Sequence, residues 1–321
     1  MGDYVLIENY SGFIMKKVPE QIDLMVNSEC NARCQMCIQE ITWKIPTGEQ
    51  DPFLRGAADH TREFYELGGR KVIITGGEPT LRPARVVSVL EELSKYQDLE
   101  LIAMYTNGSR LLKETEGETL AQKLKKSGLH YVNLSSHHYD SVKNNRIFGI
   151  DVGNAQVVGK HLTDIGMPIR FCATLQKGGL ETSEEVIKYL DFAQQCGAGD
   201  VYLRELFRVY NVDSNNEAIK GHLEYIDFNF VPLKLIIDGL RISGAIQTGQ
   251  RTNFQGREKN ELAFETTRGF PFYTSELEIG KEKSGELPYL VVMPNGGLYS
   301  TWMGEQFKVD SLKEFVESGG M

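Results

Sequence analysis

Short apolar runs alternate with longer amphipathic segments up to about residue 208 of this 321-residue chain. Runs of this length, bounded by Gly or Pro, predict strands, whereas apolar residues at every third or fourth position predict helices. Repeated strand-helix units place their strands in parallel through right-handed crossovers, which gives a doubly wound sheet or a barrel. The six predicted strands are residues 21–27, 71–75, 99–105, 131–136, 169–175 and 200–207.

The side chains within two of these strands favour a barrel with an open interior. In the fifth strand one face carries Arg170, Cys172 and Thr174, and the opposite face is apolar. In the fourth strand Asn133 and Ser135 share a face in the same way. Because neighbouring residues of a strand point to opposite sides, each strand has one polar and one apolar face. A polar inner face suits a lumen that holds ligands better than the filled core of a complete eight-stranded barrel.

A cluster of three cysteines follows the first predicted strand: Cys30, Cys34 and Cys37, at C-x3-C-x2-C spacing. Three thiolates in one short loop converge on a single centre, and a cubane iron-sulfur cluster with three protein ligands keeps one iron open. The alternatives are a zinc knuckle or three buried thiols. Structural zinc needs four ligands, and no Cys or His lies near enough in sequence to supply a conventional fourth. The spacing therefore favours a cluster with one open iron.

This cysteine loop resembles the cluster-binding loop of the radical S-adenosylmethionine (SAM) superfamily. One strand-helix unit later, Gly76-Gly77-Glu78-Pro79 resembles the second motif of that family. The resemblance implies an α/β fold with a partial (β/α)6 TIM barrel, and a [4Fe–4S] cluster and SAM as cofactors. It also implies a flavodoxin-like or ferredoxin-like reductant, and cleavage of SAM to a 5′-deoxyadenosyl radical. The backbone of the second motif would meet the methionyl ammonium of SAM, and Glu78 would accept a hydrogen bond from it or brace the loop.

Further contacts with SAM follow from the same resemblance. Met36 occupies the position near the adenine where the family more often has an aromatic residue, and loop packing would explain it equally well. Asn107, within the strand-end motif 106–108, would shape the pocket wall. Ser135 would contact the SAM ribose, and Leu206 on the sixth strand would pack on the adenine.

Three residues are candidates for substrate chemistry. Arg204 can bind a carboxylate of SAM or of the substrate, or form a structural ion pair. His137 is the candidate for substrate binding or proton transfer, because two adjacent histidines on an extended chain cannot both face inward. Cys172 can donate a hydrogen atom to a substrate radical, as thiols do in some epimerases of the family. A small buried thiol is the commoner reason for such a cysteine.

Charge and composition exclude several classes of partner. The formal net charge of -9 argues against a nucleic-acid partner, since such proteins usually carry a basic surface. No apolar run is long enough to span a membrane, and residues 1–4 do not begin a targeting segment. The chain has five cysteines, three of them in the cluster loop, and a reducing compartment suits such thiolates better than disulfides. We therefore expect a cytoplasmic protein.

The domain organisation expected from the sequence has three parts. Residues 1–15 form an N-terminal cap, residues 16–208 form the barrel core, and residues 209–321 form a mixed α/β extension that closes the lumen. No cysteine follows Cys196, so we expect a single cluster and none of the auxiliary clusters of many peptide-modifying members.

The single cluster and the acidic composition favour a small polar metabolite as substrate. A nucleoside, a sugar or an amino-acid derivative would undergo elimination, decarboxylation, epimerisation or rearrangement. The alternative within the family is a peptide maturase, and the alternative outside it is a non-catalytic iron-sulfur or zinc binding protein.

Overall fold

A computed structural model describes most of the chain. The described residues are 4–9, 12–17, 19, 21–37, 52–206, 208–209, 217–252, 260–275, 278–279, 290–300 and 308–314. None of the helices in these residues combines the length and the apolar character that a bilayer crossing requires. The predicted end of the sixth strand at Phe207 lies outside the described residues.

Strands and helices alternate through the first part of the described chain. In order, the elements are β1 (Tyr4–Asn9), β2 (Gly12–Lys17), β3 (Gln21–Met25), α1 (Pro52–Glu66), β4 (Lys71–Thr75), a 3-10 turn (Pro79–Leu81), α2 (Pro83–Leu93), β5 (Leu101–Thr106), β6 (Glu114–Thr115), β7 (Glu118–Thr119), α3 (Leu120–Lys126), β8 (Tyr131–Ser135), α4 (Ser141–Phe148), α5 (Ala155–Asp164), β9 (Ile169–Leu175), α6 (Ser183–Gln195) and β10 (Asp200–Glu205). All six predicted core strands are therefore confirmed, as β3, β4, β5, β8, β9 and β10.

The remaining elements are two helices and several short strands. They are β11 (Arg208–Val209), α7 (Glu217–Asn229), α8 (Leu233–Ile242), β12 (Ile246–Thr252), β13 (Asn260–Glu265), β14 (Pro271–Ser275), β15 (Glu278–Ile279), β16 (Leu290–Val292), β17 (Leu298–Tyr299) and β18 (Lys308–Val309). β16 and β17 pair antiparallel across a turn that contains Asn295 and Gly296, a dipeptide typical of hairpins.

One large sheet organises the molecule, in the order β12-β13-β14-β10-β9-β8-β5-β4-β3-β16-β17-β18. The six core strands are parallel neighbours within it. At one edge β14 continues the parallel run beside β10, and at the other edge β16 does so beside β3. The expected partial-barrel fold is confirmed, and the segment after residue 208 extends its sheet at both edges.

The two faces of the core strands divide as the sequence predicts. Val132 and Leu134 of β8 lie in the main hydrophobic core with Phe171 and Leu175 of β9. These side chains pack against the helices that surround the sheet. The alternate residues of the same strands therefore face the opposite side, the lumen.

Two helices lie where the sequence pattern predicted none, namely α4 and α7. The Asp140 side chain accepts hydrogen bonds from the backbone N–H groups of Val142 and Lys143, so it caps the N-terminus of α4. The helix ends at Gly149, whose φ of 66° is a left-handed conformation that glycine adopts readily. An Asp followed nine positions later by a Gly could have predicted α4 from the sequence, although the apolar residues of this helix show only weak periodicity.

Candidate functional site

The three cysteines lie on a loop at the C-terminal end of β3, which is anchored to its surroundings. The Arg33 N–H donates to the Phe148 carbonyl at 2.8 Å, and the Cys37 N–H donates to the Cys34 carbonyl at 3.0 Å. Ala32 packs against Phe148 at the end of α4. Cys30 is exposed, while Cys34 and Cys37 are half-buried. The missed helix α4 thus supports the cysteine loop.

Gly76 and Gly77 allow the end of β4 to approach the chain just before the cysteine loop. A Cβ on Gly77 would lie 2.1 Å from the Glu29 carbonyl oxygen, and Gly76 has a φ of +150°. The Gly77 N–H donates to the Asn27 carbonyl at 2.9 Å, and the Glu78 N–H donates to the Glu29 carbonyl at 2.7 Å. The glycines were expected to admit a ligand close to the backbone. What they admit in the structure is the neighbouring loop, and their contact with SAM stays a prediction.

The Glu78 carboxylate is buried and accepts hydrogen bonds from two other segments. One oxygen accepts from the Thr80 N–H at 3.0 Å and from the Thr106 hydroxyl at 2.7 Å, and the other accepts from the Asn107 N–H at 2.7 Å. The side chain is only 1% exposed. Of the two roles expected for Glu78, bracing is the one that these contacts support. Pro79 begins the 3-10 turn that Glu78 caps.

Asn107 connects this carboxylate to the cysteine loop. Its side-chain amide donates to the Asn31 side-chain oxygen at 2.9 Å, and the Asn31 amide donates to the Ser109 hydroxyl at 3.0 Å. We call Glu78, Thr106, Asn107 and Asn31 the brace. The sequence analysis did not single out Asn31. Its position between Cys30 and Cys34, two predicted ligands, was a signal that could have identified it. The brace therefore joins the ends of two parallel strands, β4 and β5, to the cysteine loop.

The thiols of Cys30, Cys34 and Cys37 are suitable ligands for an iron-sulfur cluster. Three thiols on one anchored loop are the donor set that such clusters take. In the described residues no three His, Cys, Asp or Glu side chains are already grouped as a metal-ion site. That Cys30, Cys34 and Cys37 hold a cluster stays a prediction.

Met36 and Leu206 meet on one wall beside the cysteine loop. Both are buried, and with Ile226 of α7 they form a small hydrophobic cluster that Cys34 also contacts. The structure thus brings together the two residues for which adenine contact was predicted, although they are 170 positions apart in sequence. Their role toward SAM stays a prediction.

Polar side chains from neighbouring strands form a continuous surface in the lumen. We call it the polar wall; it comprises Tyr105, Asn133, Ser135, Arg170, Cys172, Asp200, Tyr202 and Arg204. Asn133 lies beside Arg170 in the strand register, and Arg170 lies beside Asp200. Arg170 forms a two-pronged ion pair with Asp200, one bond being 2.9 Å long. That pair was missed from the sequence because its partners lie on different strands.

Arg204 is the second guanidinium of the polar wall, and its contacts differ from those of Arg170. It donates to the Tyr105 hydroxyl at 2.7 Å and lies 4.7 Å from the centre of the Tyr202 ring. Burial raises the pKa of Tyr105 to about 12, so this phenol stays neutral. Among the described residues no carboxylate pairs with Arg204, and its Nε atom has no hydrogen-bond partner. The guanidinium therefore keeps a positive charge available to an anion in the lumen.

Asn133, Ser135 and Cys172 extend the surface beside Arg204. The Oδ1 atom of Asn133 is buried and has no partner among the described residues. Ser135 lies beside Cys172 in the strand register, and Cys172 lies beside Tyr202. Burial raises the pKa of Cys172 to about 11, so its thiol is protonated at neutral pH. A protonated thiol is the form that a hydrogen-atom donor requires.

His137 lies next to the polar wall, and its surroundings fix its protonation. Its Nδ1 accepts a hydrogen bond from the Thr174 N–H at 3.2 Å, and its ring lies 4.9 Å from that of Phe148. Burial lowers its pKa to about 4. The ring is therefore neutral at pH 7 and carries its proton on Nε2. A ring in this state can donate a hydrogen bond through Nε2, and the expected role of His137 in substrate binding or proton transfer stays a prediction.

Comparison with protein families shows that the cysteine loop and most of the lumen residues described above fall within one family match. The family model described as the radical SAM superfamily matches residues 25–193, more than half of the chain. The matched span includes the cysteine loop, the whole brace and most of the polar wall. It ends before Arg204 and before α7.

Two curated relatives share the same part of the chain. The probable GTP 3′,8-cyclase of Saccharolobus solfataricus is 30% identical over 198 residues, which cover 59% of this chain and 58% of that protein. The probable GTP 3′,8-cyclase of Sulfolobus acidocaldarius is 29% identical over 216 residues, which cover 65% of this chain and 62% of that protein. The chain thus spans less than two thirds of the length of these relatives.

Solved structures extend the fold comparison to nearly the whole chain. Streptococcus suis SuiB bound to S-adenosylmethionine gives a TM-score of 0.59 at 15% identity, covering 95% of this chain and 66% of that chain. SuiB bound to its precursor peptide SuiA gives a TM-score of 0.59 at 15% identity, covering 94% of this chain and 65% of that chain. At this level of identity the likeness shows a shared fold.

Proposed function

Because this chain belongs to the radical SAM superfamily, an enzyme family that uses a [4Fe–4S] cluster and SAM, we propose that it removes a hydrogen atom from a small anionic metabolite in the lumen. When bound, the two cofactors supply a 5′-deoxyadenosyl radical able to attack an unactivated C–H bond. The chain's own residues hold the cofactors, position the substrate and exclude water.

The cofactor side of the proposal assigns residues around the cysteine loop. Cys30, Cys34 and Cys37 hold the cluster, and the brace fixes the strand ends beside it. The backbone of residues 76–79 contacts the methionyl part of SAM. Ser135 contacts its ribose, while Met36 and Leu206 pack on its adenine.

The observation that supports an anionic substrate is the charge balance of the polar wall. Arg170 is neutralised by Asp200, whereas Arg204, beside two tyrosine rings, has no carboxylate partner in the part of the chain that the structure describes. A buried guanidinium is stabilised by a carboxylate or a phosphate, which it binds through several parallel hydrogen bonds. The partnerless oxygen of Asn133 accepts a bond from a hydroxyl or amino group of the same molecule. The substrate class is thus a polar metabolite with an acidic group.

The relatives suggest which anions to test first. Probable GTP 3′,8-cyclases are named for a nucleoside triphosphate, which has both the negative charge and the hydroxyl groups that the polar wall suits. GTP is therefore the first candidate substrate, followed by other nucleotides and by sugar and amino-acid derivatives with a carboxylate. Cys172 supplies a hydrogen atom if the reaction inverts a carbon centre. Residues 209–321 close the lumen over the substrate.

The test is a substrate-dependent cleavage assay. The protein is reconstituted anaerobically with iron and sulfide, reduced with dithionite or flavodoxin, and mixed with SAM and each candidate. An anionic substrate accelerates formation of 5′-deoxyadenosine, and deuterium placed on its reactive carbon appears in that product. Neutral nucleosides and short peptides are run beside it. Equal acceleration by neutral compounds, or acceleration by peptides alone, would reject the anionic metabolite.

A further inference from the structure

His222 of α7 is a buried histidine outside the part of the chain that the family model matches. It is only 5% exposed. In the described part of the chain neither ring nitrogen has a hydrogen-bond partner. A buried polar group without a partner is costly, so its presence in a folded chain requires an explanation. The surroundings of α7 supply one.

Residues of α7 spaced three and four apart form the face that packs on the site. His222, Tyr225, Ile226 and Asn229 follow this spacing and therefore share one side of the helix. Ile226 contacts Met36 inside the cysteine loop. The Tyr225 hydroxyl donates to the Gln176 side chain at 2.6 Å, and the Asn229 carbonyl accepts from the Lys177 N–H at 3.0 Å. The barrel thus holds α7 in place against the loop.

The backbone of Gln35, between two of the cysteines of the loop, influences His222. Burial lowers the pKa of His222, and a backbone group of Gln35 opposes this effect. A group that raises the pKa of a histidine is an acceptor, so the group is the Gln35 carbonyl. Gln35 therefore influences the ring, although neither ring nitrogen has a hydrogen-bond partner among the described residues. Closure of the cysteine loop can bring the two groups together.

We propose that His222 is a positioning residue that locks the cysteine loop when the cluster binds. Its imidazole N–H donates a hydrogen bond to the Gln35 carbonyl once Cys34 and Cys37 have closed on the metal. The neutral ring has one N–H group for this purpose, and the barrel contacts of α7 hold it in position. The lock slows loss of iron from the loop. It does not depend on the proposed substrate.

The test follows retention of the cluster and requires no turnover. Wild type, His222→Leu and His222→Gln are reconstituted, and iron release to a chelator is followed by the loss of visible absorbance. Loss of one hydrogen bond predicts release faster by about tenfold at most in His222→Leu. His222→Gln, whose amide can also donate, restores slow release. Lys220→Ala is the matched control, because Lys220 lies on the exposed face of the same helix, near Glu224.

A second measurement distinguishes a hydrogen bond from His222 to the cysteine loop from a general packing role of this side chain. Hydrogen exchange of residues 217–229 is compared before and after reconstitution. Wild type and His222→Gln gain protection there when the cluster is loaded, whereas His222→Leu gains none although its apo form has wild-type helicity. Equal iron release in wild type and a folded His222→Leu protein would overturn the proposal. Nitrogen hyperfine coupling from His222 in the cluster's EPR spectrum would also overturn it, because the ring would then ligate iron.

Discussion

The brace and the polar wall both consist of buried polar groups near the ends of parallel strands, yet they satisfy those groups differently. In the brace both oxygens of Glu78 accept hydrogen bonds, and Asn107 and Asn31 are joined to each other. In the polar wall the Nε of Arg204 and the Oδ1 of Asn133 have no partner among the described residues. Each such atom costs about 1–3 kcal/mol when buried. The brace is therefore a preformed support, whereas the polar wall is a surface that a ligand completes.

The largest expected effect comes from breaking the brace at Glu78. Glu78→Gln keeps one acceptor oxygen but replaces the other with a donor amide, which faces donor groups of Thr80, Thr106 or Asn107. We expect the free energy of unfolding to fall by about 3 kcal/mol, since buried donors lose a charged acceptor. Thermal or urea denaturation of the apo protein measures it. Glu91→Gln on the exposed side of α2 is the control, and equal stability of the two variants would show that the brace adds nothing.

The two arginines of the polar wall provide a matched pair. Arg170→Gln leaves the Asp200 carboxylate without its partner, and we expect a loss of about 3 kcal/mol in stability. Arg204→Gln removes a charge that no carboxylate neutralises within the described ranges, so we expect it to change the stability of the substrate-free protein by less than about 1 kcal/mol. The same variant should weaken substrate binding by about 2 kcal/mol. Denaturation and substrate titration give both values. A large loss of stability in Arg204→Gln would indicate that a carboxylate of the chain itself neutralises Arg204.

The pH dependence of stability tests the surroundings of His137. Its pKa in the folded chain is about 4, below the ordinary value of about 6.5 in the unfolded chain. The unfolded chain therefore binds the proton first as the pH falls. The stability that the neutral ring provides is complete above about pH 6.5 and is lost progressively toward pH 4.

Between about pH 7 and about pH 5 the expected loss from His137 is about 2 kcal/mol. Urea denaturation of the wild type at these two pH values measures the change. His137→Asn, whose side-chain oxygen can still accept from the Thr174 N–H, should show a smaller change because it does not titrate. An identical pH dependence in the two proteins would contradict the buried, neutral state of this ring.

The smallest expected effects are the changes in stability when an asparagine of the polar wall or one of the brace is replaced by leucine. Asn133→Leu removes an oxygen that has no partner in the described part of the chain. We therefore expect stability to rise by about 1 kcal/mol while substrate binding weakens by a similar amount. Asn31→Leu breaks bonds to Asn107 and Ser109, so we expect it to lower stability by about 1 kcal/mol. Denaturation of both variants decides the point. Changes of the same sign would remove the distinction between the two regions.

Much of this organisation follows from local sequence patterns. The six core strands and their polar and apolar faces are predictable because the periodicity of side chains is a local property. The cysteine loop and residues 76–79 are likewise contiguous in sequence. The placement of these motifs at one end of the sheet follows from the parallel strands alone, since the carboxyl ends of such strands share an edge.

Other features depend on contacts between distant residues and are not visible in local patterns. Pairing of β14 with β10, and of β16 with β3, adds strands to the parallel sheet from a region whose strand-helix rhythm has ended. The bond between Asn31 and Asn107 joins residues 76 positions apart. The same limit applies to Arg170 with Asp200, whose pairing depends on strand register. His222 gave no sequence signal because its helix meets the cysteine loop only in the folded chain.

The most direct test of the account is the response of the reduced cluster to SAM. The protein is reconstituted anaerobically and reduced, and EPR spectra are recorded with and without SAM, with Cys34→Ala as the variant that lacks one ligand. The account predicts a [4Fe–4S] signal that changes when SAM is added, followed by release of 5′-deoxyadenosine. A signal that SAM leaves unchanged, from a cluster whose irons are all bound by protein side chains, would contradict it.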